Sequence, residues 1–202
     1  MSTTDVLTEA EARRVVNVDE GSPVLTQLVT AVSQQLDQMC GPIVQRTITS
    51  ESHDGGGRAV SLKYRPVASV TEVTEYDGTV STALTAETNS AKATANYFVD
   101  LTAGVVMRRS NGWDDWFPVG RGNVVVTYVA GRAATTGAVD AKFKQAAGMM
   151  LRNVWTGEVA SGTESFGPFA DGTTTASLLG PGLLNKVVAM LQNEIIDGVA
   201  VL

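Results

Sequence analysis

The side chains that most often carry catalysis are sparse in this chain. His53 is its only histidine and Cys40 its only cysteine. A catalytic triad or a zinc site needs a histidine that packing and a second partner hold in place, whereas His53 lies in the run Ser-His-Asp-Gly-Gly-Gly. We therefore interpret His53 as a turn residue with a solvated ring. A single cysteine allows neither an internal disulfide nor a thiolate metal cage, and Cys40 is expected to pack as a small hydrophobe.

Three further runs carry residues that could do chemistry, and each lacks a required neighbour. The run from Gly162 to Gly167 has one residue too many for a nucleophile elbow and no strand before it. The glycines at 120 and 122 precede a strand pattern, whereas a dinucleotide-binding loop opens a helix. Asp114 and Asp115 are adjacent and lack the alternating ligands of a calcium loop. The sequence therefore predicts a protein that is not an enzyme, with no catalytic, cofactor or metal site.

Apolar residues at helical spacing predict four helices, each with one apolar stripe. Thr8 and Glu11 have the spacing of a capping box, and Ser22 followed by Pro23 is a second helix start. The helices are expected at about residues 8–17, 22–40, 138–157 and 181–197. In the third helix, the residues predicted to anchor the core are Phe143, Met150, Val154 and Trp155.

Between the second and third helices, short β-branched runs predict an antiparallel β region. Residues 43–51 alternate, with Arg46, Ile48 and Ser50 on one face, and are expected to pair with residues 59–63 through a glycine-rich turn. Residues 62–77 predict a continuous strand and residues 123–130 the strongest one. Turns are predicted at Asp77-Gly78 and Ala103-Gly104, and the tryptophans of residues 112–118 are expected to cover an edge of the sheet.

These elements predict an α+β protein in which a helical bundle, made of two N-terminal and two C-terminal helices, carries an inserted antiparallel β region. The predicted segments are residues 1–42 for the N-terminal helices, 43–131 for the β region and 132–202 for the C-terminal helices. Within the last segment, residues 157–182 are rich in glycine, serine, threonine and alanine. A loop of that length in a compact domain is usually functional or disordered, so we predict a long flexible loop.

The formal net charge of −6 argues against a surface that holds nucleic acid by counterion release. The basic pairs Arg13-Arg14 and Arg108-Arg109 do not extend into patches. An acidic or neutral wall does suit a passage along which DNA slides without sticking. The apolar runs fall short of the ~18 residues that cross a bilayer, and the N-terminus lacks a signal-peptide pattern, so we expect a protein that is cytosolic where it is made.

The order of parts resembles that of a known family of virion proteins. The runs LKYRPVASVTEV, YFVDLTAGVV and VVVTYVAG, followed by a helix that opens VDAKFKQAA, resemble the head-to-tail connector (adaptor) proteins of long-tailed bacteriophages over about residues 10–158. The resemblance implies a homo-oligomeric ring, commonly a dodecamer, between the portal protein and the next neck or tail protein. It implies a structural virion protein that joins head to tail, continues a channel for double-stranded DNA and assembles in the host cytoplasm. A neck stopper or tail-completion protein is the alternative within this class.

The resemblance supplies regions rather than functional residues, so docking candidates come from apolar residues in the loop, the last helix and the tail. They are Phe166, Phe169, Leu178, Leu179, Leu184, Val188, Leu191, Val199, Val201 and Leu202. Packing of the tail onto the chain's own core is an equally open alternative. From a different class, the β region could be a monomeric ligand-binding module that uses Trp113, Trp116 and Phe117 as a platform for sugars or peptides.

Overall fold

A computed structural model describes residues 2–88, 92, 94, 96–158 and 181–195. These residues form helices and antiparallel sheets, which confirms the predicted α+β class. The chain divides into two compact units: the first takes in residues up to Val44 and from Ala133 onward, and the second is Gln45–Arg132. We call them the helical unit and the β unit. No helix within the described ranges has the length and hydropathy to cross a bilayer.

Local capping signals correctly predict where the first two helices of the helical unit begin, whereas the third begins at Ala141, after the predicted start at about residue 138. The helices are α1 (Glu9–Val16), α2 (Pro23–Cys40), α3 (Ala141–Glu158) and α4 (Pro181–Leu191), with a short 3-10 turn at Thr136–Ala138. The Thr8 hydroxyl accepts the Glu11 N–H at 3.3 Å, and the Glu11 carboxylate accepts the Thr8 N–H at 2.8 Å, which completes the predicted capping box. The Ser22 hydroxyl accepts the Leu25 N–H at 3.1 Å and caps α2.

Helix α3 packs against each of the other three helices of its unit. Phe143 and Met150 are fully buried and Val154 nearly so, as predicted, and Cys40 packs in the same core. Trp155 packs against this core but is only partly buried, so its predicted role as a core anchor is confirmed only in part. Successive helix positions lie about 100° apart, and Trp155 therefore falls at the edge of the stripe that Val154 buries.

The β unit contains two sheets built from short strands. The strands are β1 (Arg46–His53), β2 (Ala59–Ser61), β3 (Val67–Asp77), β4 (Val80–Ala83), β5 (Tyr97–Asp100), β6 (Val105–Ser110), β7 (Trp113–Asp114) and β8 (Val124–Ala130). The first sheet has the order β1-β8-β3-β4, and the second has the order β2-β6-β5 with β7 paired to β6. All of these pairs are antiparallel.

The predicted pairing of β1 with the strand after the glycine-rich loop is wrong. Strand β1 pairs with β8 and β2 pairs with β6, so the two strands belong to different sheets. The physical reason is that the intervening glycines bond to a distant segment, with the Gly55 N–H donating to the Gly120 oxygen at 2.9 Å. The loop therefore crosses between sheets instead of closing a hairpin.

The predicted turns at Asp77-Gly78 and Ala103-Gly104 are confirmed. Asp77 pairs with Val80 across the first, and Gly78 and Gly104 have φ of 61° and 65°, values that glycine adopts without strain. The continuous strand predicted from residue 62 instead starts at Val67. Pro66 has no N–H to donate to a sheet, so the ladder begins after it.

Strand β1 contains a bulge that reverses which side chains face inward. The register shifts between Ile48 and Glu51, and Ser50 has φ of 55°. Ser50, predicted to share a face with Ile48, is exposed, and Glu51 takes the inward position. The Tyr128 hydroxyl donates to the Glu51 carboxylate at 2.7 Å and accepts the Tyr64 N–H at 3.1 Å. Burial first, and this bond to Glu51 second, raise the pKa of Tyr128.

The interpretation of His53 as a solvated turn residue is also wrong. His53 ends β1, its side chain is only 16% exposed, and its Nε2 lies 2.9 Å from the Glu51 carboxylate. The same bulge explains this position, because shifting the alternation by one turns the face shared by residues 51 and 53 inward.

Candidate assembly surface at one end of the β unit

Large exposed apolar side chains within the described residues all belong to the β unit. They are Tyr76, Val80, Phe98, Leu101, Trp113, Trp116 and Val119. The most exposed are Val119 at 92%, Trp113 at 79% and Val80 at 63%, followed by Trp116 at 57%. Single exposed apolar residues are ordinary, but a cluster marks a binding surface.

Strand register gathers most of these side chains at one end of the unit. His53 and Glu75 both pair with Val124, so the loop after β1, the turn after β3 and the segment before β8 lie together. The chain enters and leaves the unit at the opposite end, where Arg46 pairs with Ala130. We call residues 54–58, the turn Asp77–Val80 and residues 111–123 the aromatic end.

The loop that carries the tryptophans is held by backbone bonds to the glycine loop. The Phe117 N–H donates to the Gly57 oxygen at 2.9 Å, and the Gly56 N–H donates to the Phe117 oxygen at 3.1 Å. The Phe117 side chain is 1% exposed and packs in the core of the β unit. Phe117 is therefore not available to the sugar- or peptide-binding platform proposed from sequence, because it anchors the loop from inside.

Asn123 ties three chain segments together at the aromatic end. Its Nδ2 donates to the Pro118 oxygen at 2.6 Å and to the Tyr76 oxygen at 3.2 Å, and its Oδ1 accepts the Gly55 N–H at 2.8 Å. Sequence reasoning missed this residue. Its position directly before the strongest strand was the available signal, since Asn side chains commonly bond to backbone groups in loops.

Position 55 requires glycine because two loops approach each other closely there, and not because its backbone has a left-handed φ angle. A Cβ at this position would lie 2.0 Å from the Pro118 oxygen and 2.6 Å from the Asn123 Oδ1. No side chain fits against a backbone oxygen at that distance. The absence of a Cβ at Gly55 therefore allows the two loops to touch.

Two arginines beneath the aromatic end are neutralised by carboxylates. Arg108 donates two bonds to Glu75, at 2.8 and 2.9 Å, and both side chains are nearly buried. Arg109 lies 3.0 Å from Glu87 and 2.5 Å from Asp114, and these hydrogen bonds raise its pKa. Paired arginines do not form the free basic patch that nucleic acid requires, so this pair does not make the aromatic end a DNA-binding surface.

Both tryptophans precede the buried Phe117 in sequence. Trp113 begins β7 after a tight turn at Asn111 and Gly112, whose φ angles are 52° and 82°. Trp116 lies under the Arg58 guanidinium, 5.0 Å from its ring centroid, which is a cation–π contact. Neither tryptophan covers a sheet edge as predicted, because both rings are exposed.

Most of the docking candidates taken from the loop, the last helix and the tail lie outside the described residues. These seven are Phe166, Phe169, Leu178, Leu179, Val199, Val201 and Leu202. Leu184 is within α4. Leu191 is fully buried in the helical core and Val188 packs against that core, so neither is free to meet a partner while α4 is seated. Their docking role stays a prediction.

Among the described residues no group of three or more His, Cys, Asp or Glu side chains is placed to hold a metal ion. The exposed rings and the bonded loops make the aromatic end the candidate contact surface of the described residues. Rigid aromatic side chains of this kind are enriched where proteins bind one another.

Comparison with known proteins places the fold. No family model and no curated protein matches the chain, but solved structures do. The fold is shared with chains of gene transfer agent particles. A neck structure of the empty particle, computed with C6 symmetry, contains a chain 18% identical, with a TM-score of 0.57 over 96% of this chain and 92% of that one.

Two further structures give the same result. The virion of the native particle contains a chain 17% identical, with a TM-score of 0.59 over 94% of this chain and 89% of that one. A neck structure of the native particle, computed with C12 symmetry, matches at 18% identity and a TM-score of 0.58, over 96% and 94% of the two chains. The similarity therefore spans nearly the full length of each chain and includes both units.

Proposed function

We propose that this chain is a structural protein of the neck of a phage-like virion. It forms a ring that joins the capsid portal to the tail and continues the DNA channel. The observation that carries this proposal is the fold shared, over nearly full length, with chains from gene transfer agent necks. Its role is mechanical rather than enzymatic, and it assembles in the host cytoplasm before it enters the virion.

The proposed ring is a dodecamer in which the four helices of each copy form a bundle. Neck structures with this fold were computed with C6 and C12 symmetry, and cyclic rings use one repeated contact between two different surfaces. The aromatic end supplies an exposed apolar surface for assembly. The net charge of −6 suits a channel through which double-stranded DNA passes without sequence-specific binding.

Within the neck, the proposed position is that of the head-to-tail adaptor, between the portal and the next neck or tail protein. A stopper or tail-completion protein is the alternative in the same class. The order of elements in the sequence supports the adaptor, and the structural similarity supports the neck in general. Electron microscopy of the virion that contains this chain separates the two, since an adaptor ring contacts the portal directly.

The C-terminal tail is proposed to dock on the portal or on an adjacent copy. Because Val187 and Leu191 are fully buried, deleting all of α4 would damage the helical unit and would not test docking. Removing only residues 199–202 spares the described part of α4. We expect this truncation to keep the unfolding temperature and to reduce the joining of heads to tails. Normal joining by the truncated protein would contradict tail docking.

The proposal as a whole is tested by locating the chain in purified virions. Gold labelling of a tagged copy, or a density map of the neck, should place it between capsid and tail. Virions assembled without the chain should separate into filled or leaking heads and free tails. Detection of the chain only outside the neck would overturn the proposed function.

A further inference from the structure

We propose that the aromatic end is one half of the contact between neighbouring copies of this chain. This inference rests on the proposed ring and names the partner of the surface. Trp113, Trp116 and Val119 are the most exposed apolar side chains of residues 111–123, and Val80 is the exposed apolar side chain of the adjacent turn. The occupant is a different surface of a second copy, because a cyclic ring joins unlike surfaces head to tail.

The exposed area is large enough for this role. An aromatic side chain carries about 150–250 Å², so the exposed parts of Trp113 and Trp116 contribute roughly 200–350 Å². With Val119 and Val80 the exposed apolar area reaches the ~300–600 Å² that marks functional patches on monomers. A stable interface buries about 800 Å² on each partner, so the patch would supply its apolar core and leave a polar rim.

The surface is also preorganised, which reduces the entropy lost on binding. The bonds from Asn123 and the buried Phe117 hold the loop before any partner arrives. The contact of Trp116 with Arg58 fixes one ring further. In contrast, the described residues of the helical unit expose no large apolar side chain, so within the described residues the large exposed apolar side chains available to a ring contact are those of the β unit.

Charge favours a second copy over DNA as the occupant. Arg109 and Asp114 neutralise one another next to Trp113, and Arg108 is held by Glu75. Two copies of charge −6 repel, so an apolar contact between them should strengthen as salt screens the repulsion. Binding to DNA weakens as salt rises. Whether association strengthens or weakens as salt rises therefore distinguishes a second copy of the chain from DNA.

The test compares purified full-length protein with two matched double variants. In the first, Trp113→Ala is combined with Trp116→Ala. In the control, Phe98→Ala is combined with Leu101→Ala, two exposed apolar residues that lie in and next to β5 of the same unit. The unfolding temperature of each is measured first, and then the concentration dependence of its mass by sedimentation at low and moderate salt.

We expect the unaltered protein and the control to self-associate, more strongly at moderate salt. The tryptophan variant should need at least about tenfold more protein for the same association at an unchanged unfolding temperature. Equal association of both variants, or an unaltered protein that remains monomeric at all soluble concentrations, would overturn the inference. If the tryptophan variant forms normal rings that fail to join heads to tails, the surface faces another neck protein: the inference is then wrong, while the proposed function stands.

Discussion

The two units of this chain bury their apolar surface to different degrees. The described helices hide nearly all of it: α3 is enclosed by three other helices, and its Phe143 and Met150 have almost no exposed surface. The β unit also has a complete core, yet it leaves Trp113, Trp116 and Val119 in solvent. An exposed tryptophan contributes little to folding, and this is why we propose a contact role for these rings.

The units also differ in how they use charge. The described ion pairs of the helical unit, Lys144 with Glu11 and Lys142 with Glu194, lie near the surface. The β unit places Arg108 and Glu75 almost out of solvent, where losing one partner is costly. The helical unit also buries a carboxylate, but Asp5, 1% exposed, is held by hydrogen bonds from the Ser2 N–H and the Thr30 hydroxyl. The difference teaches that the β unit, in contrast, holds its nearly buried carboxylate with an opposite charge.

The largest expected effect is in the helical core. Phe143→Ala should lower the free energy of unfolding by about 3–5 kcal/mol, because it empties a fully buried site. In a background with Trp113→Phe and Trp116→Phe, the fluorescence of Trp155 reports the helical unit alone. Gln145→Ala, on the exposed face of the same helix, should change the free energy by less than about 0.5 kcal/mol. An equal loss in both variants would contradict the core assignment.

The buried ion pair should give the next largest effect. Glu75→Ala leaves the Arg108 guanidinium without its carboxylate at a nearly dry position, and we expect a loss of about 2–4 kcal/mol in the β unit. Replacing both residues by leucine should restore part of that loss, because no unpaired charge remains. Urea unfolding followed by Trp113 and Trp116 emission in a Trp155→Phe background measures it. If Glu75→Ala were neutral, the buried ion pair would not stabilise the β unit.

Gly55→Ala should disturb the aromatic end specifically. The added Cβ would meet the Pro118 oxygen, and we expect a cost of about 1–3 kcal/mol together with a change in tryptophan emission. Gly57→Ala is the matched control in the same loop, since its Cβ would have no neighbour closer than 3.4 Å. Similar effects of the two substitutions would show that loop flexibility, and not the close approach, is what matters.

The smallest expected effect is a pH dependence confined to the helical unit. Burial raises the pKa of Glu11, but hydrogen bonds from Lys144 and Thr8 outweigh it and hold the pKa below its ordinary 4.5. A depressed carboxyl pKa stabilises the folded state above the unfolded pKa, and this contribution disappears as pH falls through the folded value. The contribution should be below about 1 kcal/mol, because the pair is partly exposed.

Unfolding of Glu11→Gln at pH 7 and pH 3 measures this contribution. The difference in unfolding free energy between Glu11→Gln and the unaltered chain should be smaller at pH 3 than at pH 7. Glu9→Gln, which changes a neighbouring exposed carboxylate, should differ from the unaltered chain by less than Glu11→Gln does at pH 7. The amide can still accept the Thr8 N–H of the capping box, so the comparison isolates the charge. A difference that grows on acidification would mean that the sign of the pKa shift is wrong.

Local signals explain why the helical unit could be predicted in outline. The Thr8 and Ser22 caps and the apolar stripes act over a few residues, and the observed starts of α1 and α2 match them. Trp155 departs from the prediction because a stripe gives the direction of burial but not its width. How widely α3 is covered depends on the helices around it.

Strand pairing was predicted less well, because partners lie far apart in the chain. Residues 43–51 and 59–63 are close in sequence and looked like a hairpin, yet β1 pairs with β8 more than seventy residues later. One bulge at Ser50 then exchanged Ser50 for Glu51 on the inner face and brought His53 inward. Strict alternation has no means of predicting such a shift.

The sequence by itself determined the α+β class, the positions of the first two helices and the turns at Gly78 and Gly104, because each depends on neighbouring residues. Only the tertiary structure decided that Phe117 is buried while Trp113 and Trp116 are exposed, although all three lie in one aromatic run. Which ring enters the core depends on bonds from Asn123, Gly55 and Gly57. Those contacts join residues up to 68 positions apart, and the candidate assembly surface exists only once they have formed.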